Sequence, residues 1–297
     1  MFTHDEVRIE LGWGGVNGAA PRRTPAQYSA LIAGIGVLRW CGPSPCCISR
    51  RMRRAMIMSG AMKQARYTRH RPLLSDSAWL RLCSSRVAIA GAGGLGSHVL
   101  TALSRLGPME LELWDPGITD EPDLNRQVLY GPADVGNSKV HVAAQRLFEQ
   151  NRELRITALD QEISLRSYAR RHPPGESAPV LIFDCLDSFA ARGGLADIQQ
   201  AYQTPVLHAG VEAWYGQAST FLTPERSYAR VFGPEFRNIP PADKPVFPHV
   251  VSALAAIQVA EFLGWCENPE ATPLSDKLLM YDGRTSSTAC ISLNTSG

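Results

Sequence analysis

No Cys-x-x-Cys pair occurs anywhere in this sequence, so a four-thiolate zinc site is not indicated and zinc is not expected. The seven cysteines lie scattered without a regular framework, and an odd count of that kind points to a reducing, cytoplasmic setting. No apolar run approaches the roughly 20 residues that cross a bilayer, so no membrane partner is expected. An excess of charge of one sign is also missing. With 30 basic and 28 acidic residues, the net charge of +2 gives no general footing for nucleic acid. What remains is an ordinary apolar fraction and 297 residues, enough for a full core in one large α/β domain or two small ones.

Residues 1–62 lack two further things, a lysine and a stable hydrophobic period, while carrying eight arginines. Pro21-Arg22-Arg23 and Cys41-Gly42-Pro43-Ser44-Pro45-Cys46-Cys47 form turns or break elements. The segment 28–40 would make one short apolar helix, too short and wrongly flanked for a signal peptide. A basic arm against a partner and a disordered leader compete here. Without period or motif the leader is the expectation, and a mis-assigned start upstream of Met56, Met58 or Met62 would look the same.

From Ala65 the pattern becomes regular. The spacing predicts helices over 76–83, 95–106, 139–150, 189–202 and 250–263. Strands are predicted over 86–90, 109–114, 154–159, 180–183 and 205–208, with a changed rhythm at 217–222 and final strands near 277–281 and 289–293. Strands alternating with helices imply a mostly parallel, Rossmann-like α/β sheet covered on both faces, followed by C-terminal antiparallel strands. Residues 63–297 therefore read as one domain, and 223–248 as a proline-rich loop.

The most informative stretch is Arg86-Val-Ala-Ile-Ala-Gly-Ala-Gly-Gly-Leu-Gly-Ser97, a strand running into a glycine turn that opens a helix. Gly91, Gly93 and Gly96 fit the G-x-G-x-x-G spacing of a nucleotide loop, with Gly94 between them. Asp115, 19 residues beyond Gly96, ends the next strand, where an acidic residue accepts ribose hydroxyls or merely closes an Asp-Pro-Gly turn. Asp123-Leu-Asn-Arg126-Gln127 and Gly136-Asn-Ser-Lys139 follow. Two cations beside a nucleotide turn suit a triphosphate, the arginine as a planar fork and the lysine as a compact charge. Asp184-Cys-Leu-Asp187 closes a buried strand. Asp187 there either holds Mg²⁺ or caps the helix that begins at Ser188, while Asp184 does structural work.

In this order, these pieces resemble the ThiF/MoeB/HesA adenylyltransferases, the bacterial relatives of ubiquitin-activating enzymes. The likeness runs from Arg66-Tyr-Thr-Arg-His70 to Ile291-Ser-Leu293 and takes in Ala256-Ile-Gln-Val-Ala-Glu261 and Met280-Tyr-Asp282. The resemblance implies ATP-dependent adenylation of the C-terminal glycine carboxylate of a small ubiquitin-like sulfur carrier ending in Gly-Gly, with release of pyrophosphate. By this analogy Asp115 holds ribose, Arg126 and Lys139 hold phosphates, Asp187 binds Mg²⁺ and Gln127 positions the nucleotide loop. Arg69 would enter the neighbouring subunit's site in a homodimer.

The sequence departs from the family's usual pattern at three places. Asp123 stands where the family usually has asparagine, and a carboxylate near a triphosphate repels it unless it faces a metal, a sugar hydroxyl or a cation. Gly117 replaces the second acid of the usual Asp-x-Asp. No cysteine lies between Cys185 and Cys266, so no covalent thioester or persulfide stage is expected on that loop. Cys185 reads as a small core residue, His249 as a helix-start residue, and His208 receives no role. Other readings are a small-molecule, peptide or tRNA-borne carboxylate as acceptor, an NAD-dependent oxidoreductase, and a non-catalytic partner that keeps only the fold. The dehydrogenase leaves Arg126, Lys139 and Asp187 unexplained.

Overall fold

The computed structural model describes residues 65–240 and 245–293. The expected leader lies outside the described residues, as do residues 241–244 of the proline-rich loop.

The chain enters through 3-10 turns at Ala65–Tyr67 and Arg71–Leu73 and then forms helix α1 (Asp76–Ser84), whose Ser75 cap accepts from the Ala78 N–H. Strand β1 (Arg86–Ala90), helix α2 (Gly94–Leu106) and strand β2 (Glu110–Trp114) follow. After a long loop come helix α3 (Lys139–Gln150) and strand β3 (Arg155–Leu159). Helix α4 (Leu165–Arg171), strand β4 (Leu181–Asp184), helix α5 (Phe189–Tyr202) and strand β5 (Val206–Glu212) complete the parallel part. Strand β6 (Tyr215–Phe221) turns back, and short helix α6 (Tyr228–Phe232) lies in the proline-rich loop. Helix α7 (Pro248–Glu267) and strands β7 (Lys277–Asp282) and β8 (Ser287–Ser292) end the fold.

The eight strands form one sheet in the order β3-β2-β1-β4-β5-β6-β7-β8. β3 through β5 are parallel, and β5 to β8 pair antiparallel. Alternation along β1 sorts its side chains between two cores. Val87 and Ile89 enter the layer built with α1, α2, α3 and α7; Ala88 and Ala90 enter the layer built with α4, α5 and α6. This is the mostly parallel, doubly covered sheet that the sequence pattern implies.

Helix α4, and α6 within the stretch read as a proline-rich loop, add to the expected elements, and two further elements differ in extent. β5 continues through His208 to Glu212, so His208 lies within the strand rather than at its end. Helix α7 is longer than 250–263. Its 20 residues have the length and apolarity of a membrane span, contrary to the reading that no apolar run comes near that length. It is apolar on most sides because it packs between α1, α2 and the sheet, and 56% of its most apolar stretch is buried inside the fold.

Candidate active site between the ends of β1 and β4

The step from β1 to β2 runs one way across the sheet and the step to β4 runs the other. The carboxyl ends of β1 and β4 therefore flank the crevice where open α/β sheets take ligands. Gly91 leaves β1 at φ +96°, a conformation that disfavours any side chain, and its N–H donates to the Trp114 carbonyl at 2.8 Å. At Gly96 a Cβ would stand 2.0 Å from the Gly91 oxygen, so only glycine lets α2 start this close to the strand. Gly93 is the N-cap of α2 and supplies no side-chain cap, which leaves the first amides of the helix turned toward the crevice without a side-chain acceptor.

Asp115 is tied to this loop. One carboxylate oxygen accepts from the Ala92 N–H at 2.7 Å and the other from the Gly117 N–H at 2.6 Å. Each oxygen keeps a second lone pair, so a hydroxyl can still be accepted. Gly117 also has a local reason: a Cβ there would meet Asp115 Oδ1 at 2.8 Å. Tyr130, which sequence reasoning passed over, donates its buried hydroxyl to the Ala92 carbonyl at 2.7 Å and clamps the loop from the other side.

Asp123 sits on the 3-10 turn Glu121–Asn125 and faces cations. Its Oδ2 is 2.9 Å from Lys139 Nζ, and its Oδ1 is 3.6 Å from an Arg126 terminal nitrogen. Buried Gln127 donates to Oδ1 at 2.6 Å, and its side chain lies beside Gly93. Arg126 also donates to the Pro122 carbonyl and to Asn125, and its aliphatic stem packs near Gly94. The structure thus gathers Gly91, Gly93, Gly94, Gly96, Asp115, Asp123, Arg126, Gln127 and Lys139 along one rim.

Across the crevice, the two carboxylates of Asp184-x-x-Asp187 have separate duties. Asp184 is fully buried; Arg192 Nε donates to its Oδ2 at 2.9 Å, His208 Nδ1 lies 2.6 Å away and the Tyr228 hydroxyl donates at 2.8 Å. Burial pushes this carboxyl up, but Arg192 and the His208 hydrogen bond outweigh it and hold it down at about 2. Burial keeps His208 below the usual histidine range, hence neutral. Arg192 also donates to the Leu186 and Ala209 carbonyls, which fixes the loop carrying Asp187. Asp187 itself is exposed, and it acts on the neighbouring Arg192 guanidinium only through its charge. It does not cap α5, because Ser188 does so through the Ala191 N–H.

Sequence reasoning missed Arg192 and Tyr228, and gave no role to His208, all three on Asp184. The available signal was Arg192, a charge on the apolar stripe that carries Leu195 and Ile198. Cys185 is buried, and burial pushes its thiol well above the usual range, as suits a core residue. His249 lies in the first turn of α7 with Nε2 3.1 Å from the Gly283 carbonyl. Arg69 is not brought to this site. It is exposed on the turn after Tyr67, next to His70, which packs at the Leu106 end of α2 and so at the opposite edge of the sheet.

Among the described residues no cluster of three or more His, Cys, Asp or Glu side chains forms a metal cage. Mg²⁺ takes one or two carboxylates and completes its shell from phosphates and water, a donor set with which a single exposed carboxylate such as Asp187 is compatible.

Comparisons place this geometry among known proteins. The chain is similar to the SAMP-activating enzyme E1 of Haloferax volcanii, 28% identical over 227 residues that cover 73% of this chain and 80% of that protein. It is 29% identical to the sulfur carrier protein ThiS adenylyltransferase of Escherichia coli over 213 residues, 69% of this chain and 81% of the relative. Among solved structures, E. coli MccB with ATP shares the fold at a TM-score of 0.64 and 18% identity, covering 81% of this chain and 74% of that one. The ThiF family model matches residues 67–296, and the chain belongs to the ThiF family.

Proposed function

We propose that this protein is an ATP-dependent adenylyltransferase that activates the C-terminal glycine carboxylate of a small ubiquitin-like sulfur carrier. The observation that carries this reading is the convergence, at one switch point, of an uncapped glycine-loop helix, an Arg126–Lys139 cation pair and an exposed carboxylate, Asp187. The relatives named for adenylyl transfer to sulfur carriers support it.

In the proposed reaction a carboxylate oxygen of the carrier bonds to the α-phosphorus while the bond from that phosphorus to the bridging oxygen breaks. Pyrophosphate leaves and an acyl-adenylate forms. The α2 amides hold phosphate oxygens, Asp115 accepts from ribose, and Arg126 and Lys139 neutralise charge on the leaving group. Mg²⁺ held by Asp187 would supply further neutralisation of the phosphates. Such chemistry depends mainly on alignment and charge stabilisation, which these groups offer without reorganising. Arg69 lies at the far edge of the sheet from its own crevice, so we assign it to the site of a second copy. We place the reaction in the cytoplasm, in keeping with the free cysteines 83, 185, 266 and 290.

The test is exchange of labelled pyrophosphate into ATP, driven by a ThiS-type carrier ending in Gly-Gly. Exchange should require the carrier's last glycine, and a carrier lacking it should give none. Equal exchange with both would overturn the carrier reading, whereas selective binding of NAD over ATP would turn the site toward a dehydrogenase.

A second expectation follows from Cys185 and the thiol-free stretch up to Cys266. Adenylation should proceed without trapping the carrier covalently, and Cys185→Ala should exchange pyrophosphate at the wild-type rate. A carrier adduct released by dithiothreitol on a denaturing gel would contradict this.

A further inference from the structure

Asp123 holds three of the groups that would meet a triphosphate. Lys139 Nζ is 2.9 Å from one of its oxygens; the other accepts from Gln127 at 2.6 Å and lies 3.6 Å from Arg126. The Asp123 and Lys139 side chains are only 15% and 13% exposed, so salt and water weaken their attraction little. Each partner is anchored separately. Asp123 Oδ2 accepts from the Asp120 N–H at 3.2 Å, closing a capping box on the turn. The Lys139 N–H donates to the Gly117 carbonyl at 3.0 Å, which starts α3 beside Asp115. The pair therefore bridges two separately fixed loops at the rim of the crevice. A lysine so placed reaches a phosphate only by leaving, or sharing, this carboxylate.

Resting on the adenylyltransferase reading, we propose that Asp123 is an internal counter-anion that determines what the site accepts. It keeps Lys139 occupied until a ligand of high negative charge density, a nucleoside triphosphate or pyrophosphate, displaces it. It reclaims Lys139 as pyrophosphate departs. An acyl-adenylate, a mixed anhydride with a single negative charge on its phosphate, competes poorly for the lysine, so Asp123 favours release of pyrophosphate over its retention. The nucleoside part of the ligand is indifferent to this exchange.

The experiment is calorimetric titration of the full chain with ATP, inorganic pyrophosphate and adenosine, each with Mg²⁺. The proteins are wild type, Asp123→Asn, Lys139→Gln and the double variant, with Asp123→Ser as a second replacement should the asparagine disturb the turn. Asparagine keeps an oxygen for Gln127 and removes the charge. Asp123→Asn is expected to bind ATP and pyrophosphate roughly tenfold more tightly and adenosine unchanged, and pyrophosphate should inhibit its exchange reaction more strongly. The gain should vanish in the Lys139→Gln background, which a merely structural aspartate would not produce. Equal or weaker ATP binding by both Asp123 variants, with wild type binding ATP, would overturn this inference alone. A folded wild type that binds neither ATP nor pyrophosphate would overturn the nucleotide reading and this inference with it.

Discussion

Asp187→Ala should leave the fold intact and remove the Mg²⁺-dependent part of ATP binding, slowing carrier-driven pyrophosphate exchange by about 10²–10³-fold. The separation of stability from activity follows from the surroundings of this carboxylate. Asp187 is exposed and caps nothing, and it meets Arg192 only through charge at a distance, so its removal costs the fold no more than about 0.5 kcal/mol. Its backbone stays in place because Arg192 grips the neighbouring Leu186 carbonyl at 2.6 Å and Ser188 starts α5 independently. The loss therefore falls on whatever occupies the crevice. Titration of ATP with Mg²⁺ and again with EDTA isolates the effect. Wild type should bind more tightly with the metal, while the variant should show one affinity under both conditions, near the wild-type value in EDTA. A variant that keeps the wild-type metal dependence would remove Asp187 from the metal role.

How much of this was legible depended on whether a residue's surroundings are local. The bounds of α3 and α5 agree with the spacing because each carries its apolar stripe in its own sequence, with Val140, Ala143 and Leu147 on one and Leu195 and Ile198 on the other. The glycine loop was legible because the positive φ at Gly91 and the close approach of Gly96 to Gly91 are set within six residues, even though the Cys185 carbonyl, just past β4, also crowds Gly91. The spacing ends β5 at His208 because a polar residue looks like an end, and nothing local announces that Asp184, on the neighbouring strand, receives its ring. Helix α4, Leu165–Arg171, has only Leu165 and Tyr168 as large apolar positions, too few to show a period; Tyr168 is buried by Trp114 and Tyr202, both distant in sequence. The same limit applied at Asp123. Its departure from the family pattern was visible, but the cation that answers it lies 16 residues on, at Lys139, and only the fold brings the two together.

The largest stability change is expected at Arg192, beneath the site rather than in it. Arg192→Met keeps the aliphatic bulk on α5 but leaves the fully buried Asp184 without its permanent cation. Breaking a buried pair from one side costs about 3–5 kcal/mol, because the remaining charge has neither water nor partner. For a domain of this size that is a fall of roughly 10 °C in melting temperature at pH 7. The dependence on pH identifies the cause. In wild type the Asp184 carboxyl lies at about 2, below the value of 3.8 for an unperturbed carboxyl, so its contribution is present above about pH 4 and is lost as pH falls toward 2. In the variant the carboxyl loses Arg192, the largest influence opposing burial, and moves up. Its penalty is then full at neutral pH and is relieved on acidification, as Asp184 takes a proton or as His208, 2.6 Å away, becomes charged and pairs with it. Both routes have the same sign. The gap in melting temperature between wild type and variant should be widest near pH 7 and narrow toward pH 4; a gap that stays constant, or widens, would mean that lost packing and not the stranded charge sets the cost. Because Arg192 also holds the Leu186 and Ala209 carbonyls, the variant should lose Mg²⁺-dependent ATP binding even at temperatures where it remains folded, linking a charge buried under the sheet to the carboxylate exposed above it.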